Sequence, residues 1–363
     1  MRMALLELDF SRPPYGMERE EKDRWYTGQL KTLTAYHSQR CLPYRRMLDA
    51  MGCEPGQAAH YCELPWLPVG LFKELTLSSL PEDADYKIGQ SSGTTGQAAA
   101  RVVLDGETRA LQQQALAAIG GTVLGRGRLP MLVVECPSIL KEGRAFSAKA
   151  AGIRGFSLFG RRRTFALGED GALDREAVEG FLKQFGGSPF LIYGFTSQVW
   201  RHLYLEPAEL GWRPDLSRGI LIHGGGWKRM QDQAVSREAF RAGLKERCGI
   251  MRVHDYYGMA EQTGSIFLEC GEGHLHCSDY SAVLFRRTAD FSLCEPGEKG
   301  LVQVMSLLPR SYPGHNLLTA DEGILLGVDN CPCGRKGAYF TVTGRVADAQ
   351  IRGCSDTYGE DGA

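Results

Sequence analysis

The chain has 363 residues, with 42 Lys and Arg against 43 Asp and Glu, which is enough for one large domain or two ordinary ones. The balanced charge argues against a protein that binds nucleic acid or an anionic membrane through a basic surface. No stretch approaches the roughly 18 apolar residues of a membrane span. The apolar start of the chain is broken by Glu7 and Asp9, unlike a signal peptide.

The eleven cysteines do not follow the pattern of a secreted disulfide framework, because their number is odd and their spacing is scattered. The sequence therefore predicts reduced thiols and a cytoplasmic protein. A free cysteine usually packs as a small apolar side chain. That is the expectation for Cys41, Cys53, Cys62, Cys136, Cys248 and Cys294.

The first half of the chain alternates helical and strand patterns. Apolar residues at helical spacing, Trp25, Leu30, Leu33 and Tyr36, predict helices within residues 16–50. The proline-punctuated segment 63–72 predicts an irregular connector. The patterns that follow predict a strand at 101–105, a helix at 107–121 ending at Gly120 and Gly121, a strand at 130–136, and a helix at 173–187 with Asp174 as N-cap.

Three later segments share one design, in which an apolar strand runs into a glycine-bearing loop. They are residues 190–197, 219–228 and 251–264. Ligands of open α/β sheets bind beyond the carboxyl ends of the strands, so these loops are expected to meet at one site. From about residue 265 the chain is richer in short strands and turns. The predicted fold class is α/β, with strands flanked by helices and a β-rich C-terminal part.

The stretch SSGTTGQ, residues 91–97, has the composition of a phosphate-binding loop. Its glycines expose backbone N–H groups and its hydroxyls add donors, which together suit phosphate oxygens. It lacks the lysine of the Walker P-loop. For this stretch alone, a hydrophilic surface turn is the alternative.

Two further motifs carry acidic and basic groups. YYGMAEQTG, residues 256–264, has an aromatic residue that could stack on a base, and Glu261 offers the oxygen ligand that Mg²⁺ prefers. Its alternative is a strand-end turn with an exposed glutamate. The acidic stretch TADEG, residues 319–323, predicts a turn, and Gly344, Arg345 and Asp348 form a GRxxD pattern.

Thiols and imidazoles gather in two short stretches, CGEGHLHC at 270–277 and CPCG at 331–334. Four of these side chains would suffice for a structural zinc site. His274 or Cys277 could replace one of them, and reduced cysteines in β-turns are the alternative. The predicted zinc ligands are Cys270, His276, Cys331 and Cys333.

The motifs follow one another in the order of the adenylate-forming enzymes, and from about residue 60 onward the chain resembles that superfamily. It is most similar to the acyl-protein synthetases of bacterial bioluminescence, through the phrases HGGGWK, YGMAEQTGSIF, GHLH and RGCSDT. Phenylacetate-CoA-ligase-like proteins come next. The resemblance implies that ATP and Mg²⁺ activate a carboxylic acid, in this family a fatty acid, as acyl-AMP. The acyl group then passes to an enzyme cysteine as a thioester.

The same resemblance implies a role for each motif residue. Tyr257, followed by Gly258, would stack on adenine, Glu261 would bind Mg²⁺, and Asp321 and Arg345 would hold the ribose hydroxyls. The residues implied for the β- and γ-phosphates are Ser91, Ser92, Gly93, Thr94, Thr95 and Gly96. The residues implied for the adenine pocket are Gly224, Gly225 and Gly226, with His223 before them as either an active-site group or a packed core residue.

The chain departs from the superfamily pattern in three places. The usual lysine after the phosphate loop is absent, with Arg101 as a stand-in, and the acidic motif reads TAD rather than TGD. Only 18 residues follow Arg345, so we expect the swinging C-terminal domain to be truncated. The expected division is an adenylate-forming domain at 1–343 and a hinge or tail at 344–363. The resemblance implies that Cys354, in this tail, is the acyl acceptor.

Two other functions stay open at this point. A CoA ligase of the phenylacetate type would release acyl-CoA instead of acylating itself. A non-catalytic subunit would only bind ATP or an acyl group and dock on a reductase, and the missing lysines favour it. By resemblance, the expected protein partners are an acyl reductase that makes an aldehyde and an acyl-transferase.

Overall fold

The computed structural model describes residues 8–91, 99–141 and 145–346. The chain divides into two compact units. Unit 1 takes the described residues up to Ile119 and those from Gly258 onward, and unit 2 takes Gly120–Tyr257. Within the described ranges, no helix combines the length and the apolar character that a membrane crossing needs.

The helices and strands alternate in the first two thirds of the chain, and strands dominate the last third. The helices are α1 (Arg19–Arg40), α2 (Leu42–Ala50), α3 (Leu71–Glu74), α4 (Gly106–Leu124), α5 (Ala148–Phe156), α6 (Arg175–Phe185), α7 (Thr196–Trp200), α8 (Glu206–Glu209) and α9 (Arg237–Cys248). The strands are β1 (Leu67–Pro68), β2 (Lys87–Gln90), β3 (Arg101–Leu104), β4 (Leu129–Val134), β5 (Ala145–Ser147), β6 (Gly160–Phe165), β7 (Phe190–Phe195), β8 (Gly219–Gly224), β9 (Arg252–Tyr257), β10 (Phe267–Glu269), β11 (Leu275–His276), β12 (Ser281–Arg286), β13 (Lys299–Ser306), β14 (Asn316–Val328) and β15 (Ala338–Arg345).

Unit 2 contains a parallel sheet with the strand order β6-β4-β7-β8-β9. Its central strands β7 and β8 are buried along their whole length, as expected for strands covered on both faces. Leu132, Ile192 and Leu221 are fully buried there, against Leu244 of α9. After β4 the chain forms β6 on one side of that strand and then crosses to form β7 on its other side. The carboxyl ends of β4 and β7 therefore flank a topological switch point.

Unit 1 contains an antiparallel sheet with the order β12-β13-β14-β15-β11-β10, while β1 joins β14 in parallel and β2 pairs with β3. The predicted acidic turn at 319–323 is wrong, because these residues lie inside β14. Asp321 is paired with Arg345 of β15. The pairing register shifts between Glu322 and Gly323, so the glycine lies at a β-bulge or similar irregularity. Pairing with strands on both sides therefore outweighs the turn preference of Asp and Gly.

The helical pattern of residues 16–50 is confirmed, but its buried face is displaced. Leu30 and Leu33 are buried as predicted, whereas Trp25 is only partly buried. The neighbouring position is buried instead, at Tyr26, whose hydroxyl donates to the carbonyl of Tyr280 at 3.4 Å. A polar group that finds a tertiary partner can be buried in preference to a larger apolar one.

Two other element boundaries differ from the prediction, at the ends of α4 and β7, and one agrees with it, at the start of α6. Gly120 and Gly121 do not end the helix, because α4 continues to Leu124. A Cβ at Gly120 would lie 2.6 Å from the ring of Phe159, so close packing explains this glycine. Residues 190–197 form no loop, since α7 begins directly after β7. The cap at Asp174 is confirmed, because its carboxylate accepts from the Ala177 N–H at 2.9 Å.

The six cysteines expected to be packed divide into two groups. Cys41, Cys136 and Cys248 are buried, as predicted. The other three are only partly buried: Cys53, Cys62 and Cys294. None of the six is joined in a disulfide in the structure.

Candidate active site

In unit 1, Glu261 lies on a single helical turn, Ala260–Gln262, which is held by hydrogen bonds to buried residues. The hydroxyl of Tyr312 donates to the Glu261 carbonyl at 2.7 Å, and Tyr312 is itself fully buried. The side-chain amide of Gln262 donates to the carbonyl of Gly314 at 2.8 Å. These bonds connect the turn to the segment before β14, so the position of the carboxyl group is set by buried groups.

Two glycines make this turn possible. Gly264 has a φ of +88°, and a Cβ there would lie 2.7 Å from the Cα of Gln112. At Gly314 a Cβ would lie 3.0 Å from the Glu261 carbonyl oxygen. A side chain at either position would therefore displace the backbone that carries Glu261.

The Glu261 carboxyl is buried and close to two cations. Burial raises its pKa, while a hydrogen bond from its own backbone and the charges of Lys73 and Arg345 act in the opposite direction. The neighbouring carboxylate of Asp321 adds to the increase. A buried carboxyl whose ionised form is only partly compensated suits a hard cation such as Mg²⁺.

Asp321 and Arg345 form an ion pair across β14 and β15. The Arg345 Nε donates to the Asp321 Oδ1 at 2.9 Å, and the two residues are register partners. The Asp321 side chain is 16% exposed and that of Arg345 is 44% exposed, so both remain accessible. The Asp321 backbone N–H donates to the hydroxyl of Thr319 at 3.1 Å. The carboxylate can accept hydrogen bonds from the hydroxyls of a diol, and the guanidinium beside it can donate to their oxygens.

In unit 2, the glycine turn follows β8 and is held by a threonine. The hydroxyl of Thr196 donates to the Gly224 carbonyl at 3.1 Å and lies 3.0 Å from His223 Nδ1. Gly225 and Gly226 have φ values of +83° and +67°, which a residue with a side chain rarely adopts. The HGGG sequence therefore encodes a tight backbone turn at the carboxyl end of a strand.

His223 is a buried, neutral side chain in this structure. Its Nδ1 lies 3.7 Å from Asp255, a distance that would suit an ion pair. Burial nevertheless lowers the pKa of His223 to about 3, with smaller contributions from Arg241 and His254. We attribute the contact to two neighbouring polar groups, because the desolvation of a fully enclosed imidazolium outweighs one half-exposed carboxylate. His223 thus supports the glycine turn from below.

The two tyrosines that end β9 point to opposite faces of the sheet, as successive strand residues do. Tyr256 turns inward, where its hydroxyl lies 2.8 Å from that of Tyr193. A Cβ at Gly152 of α5 would collide with the Tyr193 hydroxyl, so this glycine admits the pair. Tyr257 follows on the other face and is partly exposed.

A buried ion pair at the carboxyl end of β4 was missed in the sequence. The Lys149 ammonium donates to the Glu135 carboxylate at 3.0 Å, and their side chains are 0% and 3% exposed. The ammonium also lies 5.7 Å from the centre of the Phe195 ring, at the end of β7. The pair therefore lies beside the switch point of the sheet. Its only sequence signal is a glutamate directly after the apolar run of β4.

The predicted cysteine and histidine ligands come together in unit 1. One ligand atom from each of the four residues lies within 4.8 Å of the others. Cys270 and Cys331 have sulfurs 4.0 Å apart, and Cys333 Sγ lies 3.4 Å from His276 Nε2. Tetrahedral zinc with bonds of about 2.1–2.3 Å separates its ligands by about 3.4–3.8 Å. The donor set and spacing fit zinc, with His274 as a neighbour of Cys331 at 3.4 Å.

Some predicted residues have a limited structural context. The hydroxyl of Ser91 accepts from the Ala100 N–H at 2.9 Å. Gly258 follows directly after β9. The other predicted residues of the loop, the predicted acceptor and the last residue of GRxxD lie outside the described residues: Ser92, Gly93, Thr94, Thr95, Gly96, Cys354 and Asp348.

Residues 3–361 match the model of the family described as acyl-protein synthetase, LuxE. The chain belongs to this family. The recognition made from the motifs is therefore confirmed, and the match extends the resemblance to residues before 60. Of the predicted site residues, unit 1 brings Glu261, Asp321 and Arg345 together, and it also gathers the cysteine and histidine cluster.

Individual relatives agree with this LuxE assignment. A long-chain-fatty-acid–luciferin-component ligase from Vibrio harveyi is 29% identical over 141 residues. That alignment spans 37% of this chain and only 35% of the relative. An open conformation of 2-hydroxyisobutyryl-CoA ligase superposes with a TM-score of 0.67 at 16% identity, covering 94% of this chain and 82% of that one. Its postadenylation state gives a TM-score of 0.69, and both confirm the fold class.

The burial of His223 predicts a specific response to acid. Its folded pKa lies below the ordinary value of 6.5, so the unfolded chain takes up the proton first as the pH falls. The stability contributed by the neutral ring is present above about pH 6.5 and is lost below it. Between pH 7.5 and 5.5 the wild-type free energy of unfolding should fall by about 1.4 kcal/mol more than that of His223→Gln. Denaturant titrations at the two pH values measure this, and equal decreases would contradict it.

Proposed function

We propose that this LuxE-family protein is an ATP-dependent acyl-protein synthetase that activates a fatty acid and then acylates a cysteine of its own chain. The observation that carries the proposal is the grouping of Glu261, Asp321 and Arg345 in unit 1 of a chain of this family. The relative from Vibrio harveyi is named as a ligase of long-chain fatty acids, which supports that substrate class. The length of the acyl chain is a question for the experiment below.

In the first half-reaction, a carboxylate oxygen of the acid attacks the α-phosphorus of ATP. The bond between the α-phosphorus and the bridging oxygen to the β-phosphate breaks, which gives acyl-AMP and pyrophosphate. Asp321 and Arg345 would hold the ribose hydroxyls, and Glu261 would hold Mg²⁺, which when bound would compensate the charge of the phosphates. The turn at Gly224–Gly226 and the ring of Tyr257 receive adenine. The loop Ser91–Gly96 binds the β- and γ-phosphates through its N–H and hydroxyl groups.

In the second half-reaction, the thiolate of Cys354 attacks the acyl carbonyl. The bond from the carbonyl carbon to the AMP oxygen breaks, AMP leaves, and a thioester forms. In this proposal residues 1–343 form the adenylate-forming part and residues 344–363 carry the acceptor.

The thioester then needs a protein partner that consumes it. We propose an acyl reductase, which reduces the acyl group to an aldehyde with NADPH, and an acyl-transferase that supplies the acid. Both follow from family membership and from the chemistry of a thioester, which is a better electrophile than a carboxylate.

We also propose that Cys270, His276, Cys331 and Cys333 hold a structural zinc ion. The cluster connects the start of β11 with the turn between β14 and β15. Burial lowers the pKa of His276 to about 3, so its ring is neutral, which is the form that binds a metal. Four protein ligands leave no open position, so the zinc would be structural.

The first experiment measures the intact mass of the protein after incubation with Mg·ATP and a panel of fatty acids without CoA. We expect a gain of one acyl group that hydroxylamine removes and that maps to Cys354. Cys354→Ser should keep acyl-AMP formation and lose the stable adduct, with Cys294→Ser as a matched control. AMP release only when CoA is added would identify a CoA ligase, and no turnover with any acid would favour a non-catalytic subunit.

The role of Glu261 is tested by pyrophosphate exchange. Glu261→Gln keeps the size of the side chain and removes the charge that holds the cation. We expect the fatty-acid-dependent exchange of pyrophosphate into ATP to fall about 10²–10³-fold. Glu322→Gln, one residue beyond Asp321 in β14, is the control for charge removal and should retain exchange. If Glu261→Gln exchanges pyrophosphate at the wild-type rate, Glu261 is not the Mg²⁺ ligand.

Metal analysis tests the cysteine and histidine cluster. The purified protein should contain about one zinc per chain, and Cys331→Ser should lose the metal and unfold at a lower temperature. Cys53→Ser replaces a cysteine outside the cluster and should keep the zinc. A well-folded, metal-free wild-type protein would show that these thiols are simply reduced.

A further inference from the structure

The short helix α3 lies in the segment that the sequence indicated only as a connector. It follows β1, which pairs in parallel with β14 at Leu67 and Leu317. The N–H of Val69 adds a hydrogen bond of 2.9 Å to the carbonyl of Leu318. The start of α3 is thus fixed to β14, the strand that carries Asp321 three residues further on.

The buried face of α3 contacts the support of the Glu261 turn. The ring of Phe72 is fully buried and meets Tyr312 edge to face, with ring centres 5.9 Å apart. Tyr312 is the residue whose hydroxyl donates to the Glu261 carbonyl. Packing therefore connects the turn that carries Glu261 to the backbone of Phe72, and the next residue is Lys73.

Lys73 is exposed, unlike Phe72. Among the described residues its ammonium forms no ion pair or hydrogen bond, whereas Arg345 is engaged by Asp321. Its backbone is held near the Glu261 turn by packing, because Phe72 contacts Tyr312 and Tyr312 donates to the Glu261 carbonyl. A lysine on a fixed backbone, close to a cation-binding carboxylate and not committed to a partner, can receive an anion.

We propose that Lys73 binds the phosphate oxygens of ATP and of the pyrophosphate leaving group. The inference rests on the function proposed above, and it assigns the positive charge that the lysine missing after the phosphate loop would supply. An ammonium aimed at oxygens that gain negative charge as pyrophosphate leaves lowers the barrier of the first half-reaction. Lys73 takes this role in place of Arg101, the stand-in expected from the sequence.

The test compares Lys73→Ala, Lys73→Arg and Arg101→Ala in the full-length protein. We expect Lys73→Ala to lower fatty-acid-dependent pyrophosphate exchange about 10²-fold and to raise the KM for pyrophosphate and ATP, with the KM for the fatty acid unchanged. Lys73→Arg should recover most of the rate. Glu74→Ala is the matched control, because it removes the next exposed charge of α3, and it should behave as wild type.

Three outcomes would overturn the proposal. Lys73→Ala could exchange at the wild-type rate, Glu74→Ala could lose as much activity, or the loss could follow Arg101→Ala alone. If the wild-type protein shows no exchange with any fatty acid, the proposed function fails. The binding of inorganic pyrophosphate, measured by calorimetry on wild type and Lys73→Ala, then decides the inference separately, and equal affinities would overturn it.

Discussion

The candidate site in unit 1 depends on one buried hydrogen bond, from the hydroxyl of Tyr312 to the carbonyl of Glu261. A carboxyl group taken out of water is costly, so its backbone must be held where the compensating charges are. Gly264 and Gly314 permit the turn, and the hydroxyl of Tyr312 satisfies its carbonyl. The ring of Tyr312 also contacts Phe72. The residue that supports the Glu261 turn therefore also packs against α3, the helix that carries Lys73.

The two units solve different problems with different local chemistry. Unit 2 contains a parallel sheet. The turn at the carboxyl end of β8 is formed by glycines with positive φ beside a neutral His223. Unit 1 builds an antiparallel sheet in which charged side chains are paired across strands, as in the Asp321 and Arg345 contact.

The sequence predicted what depends on short patterns and missed what depends on distant partners. Four strands of the parallel sheet (β4, β7, β8 and β9), the cap at Asp174 and the grouping of the cysteine and histidine cluster follow from local residue types, whereas β6 was not predicted. The acidic motif was predicted as a turn because Asp and Gly disfavour strands, yet β13 and β15 pair with it on both sides. Lys149 and Glu135 are 14 residues apart, and nothing local signals that they meet.

The path of β15 connects the cysteine and histidine cluster to the ion pair of Asp321 and Arg345. Cys331 and Cys333 lie in the turn that precedes this strand, and Tyr339 at its start pairs with His276 and stacks on its ring. Arg345 is at the other end, opposite Asp321. A strand that is clamped at its first residues and paired along its length transmits its register to its last residue. The cluster and the Asp321–Arg345 pair therefore lie at opposite ends of one strand, and the pairing along β15 connects them.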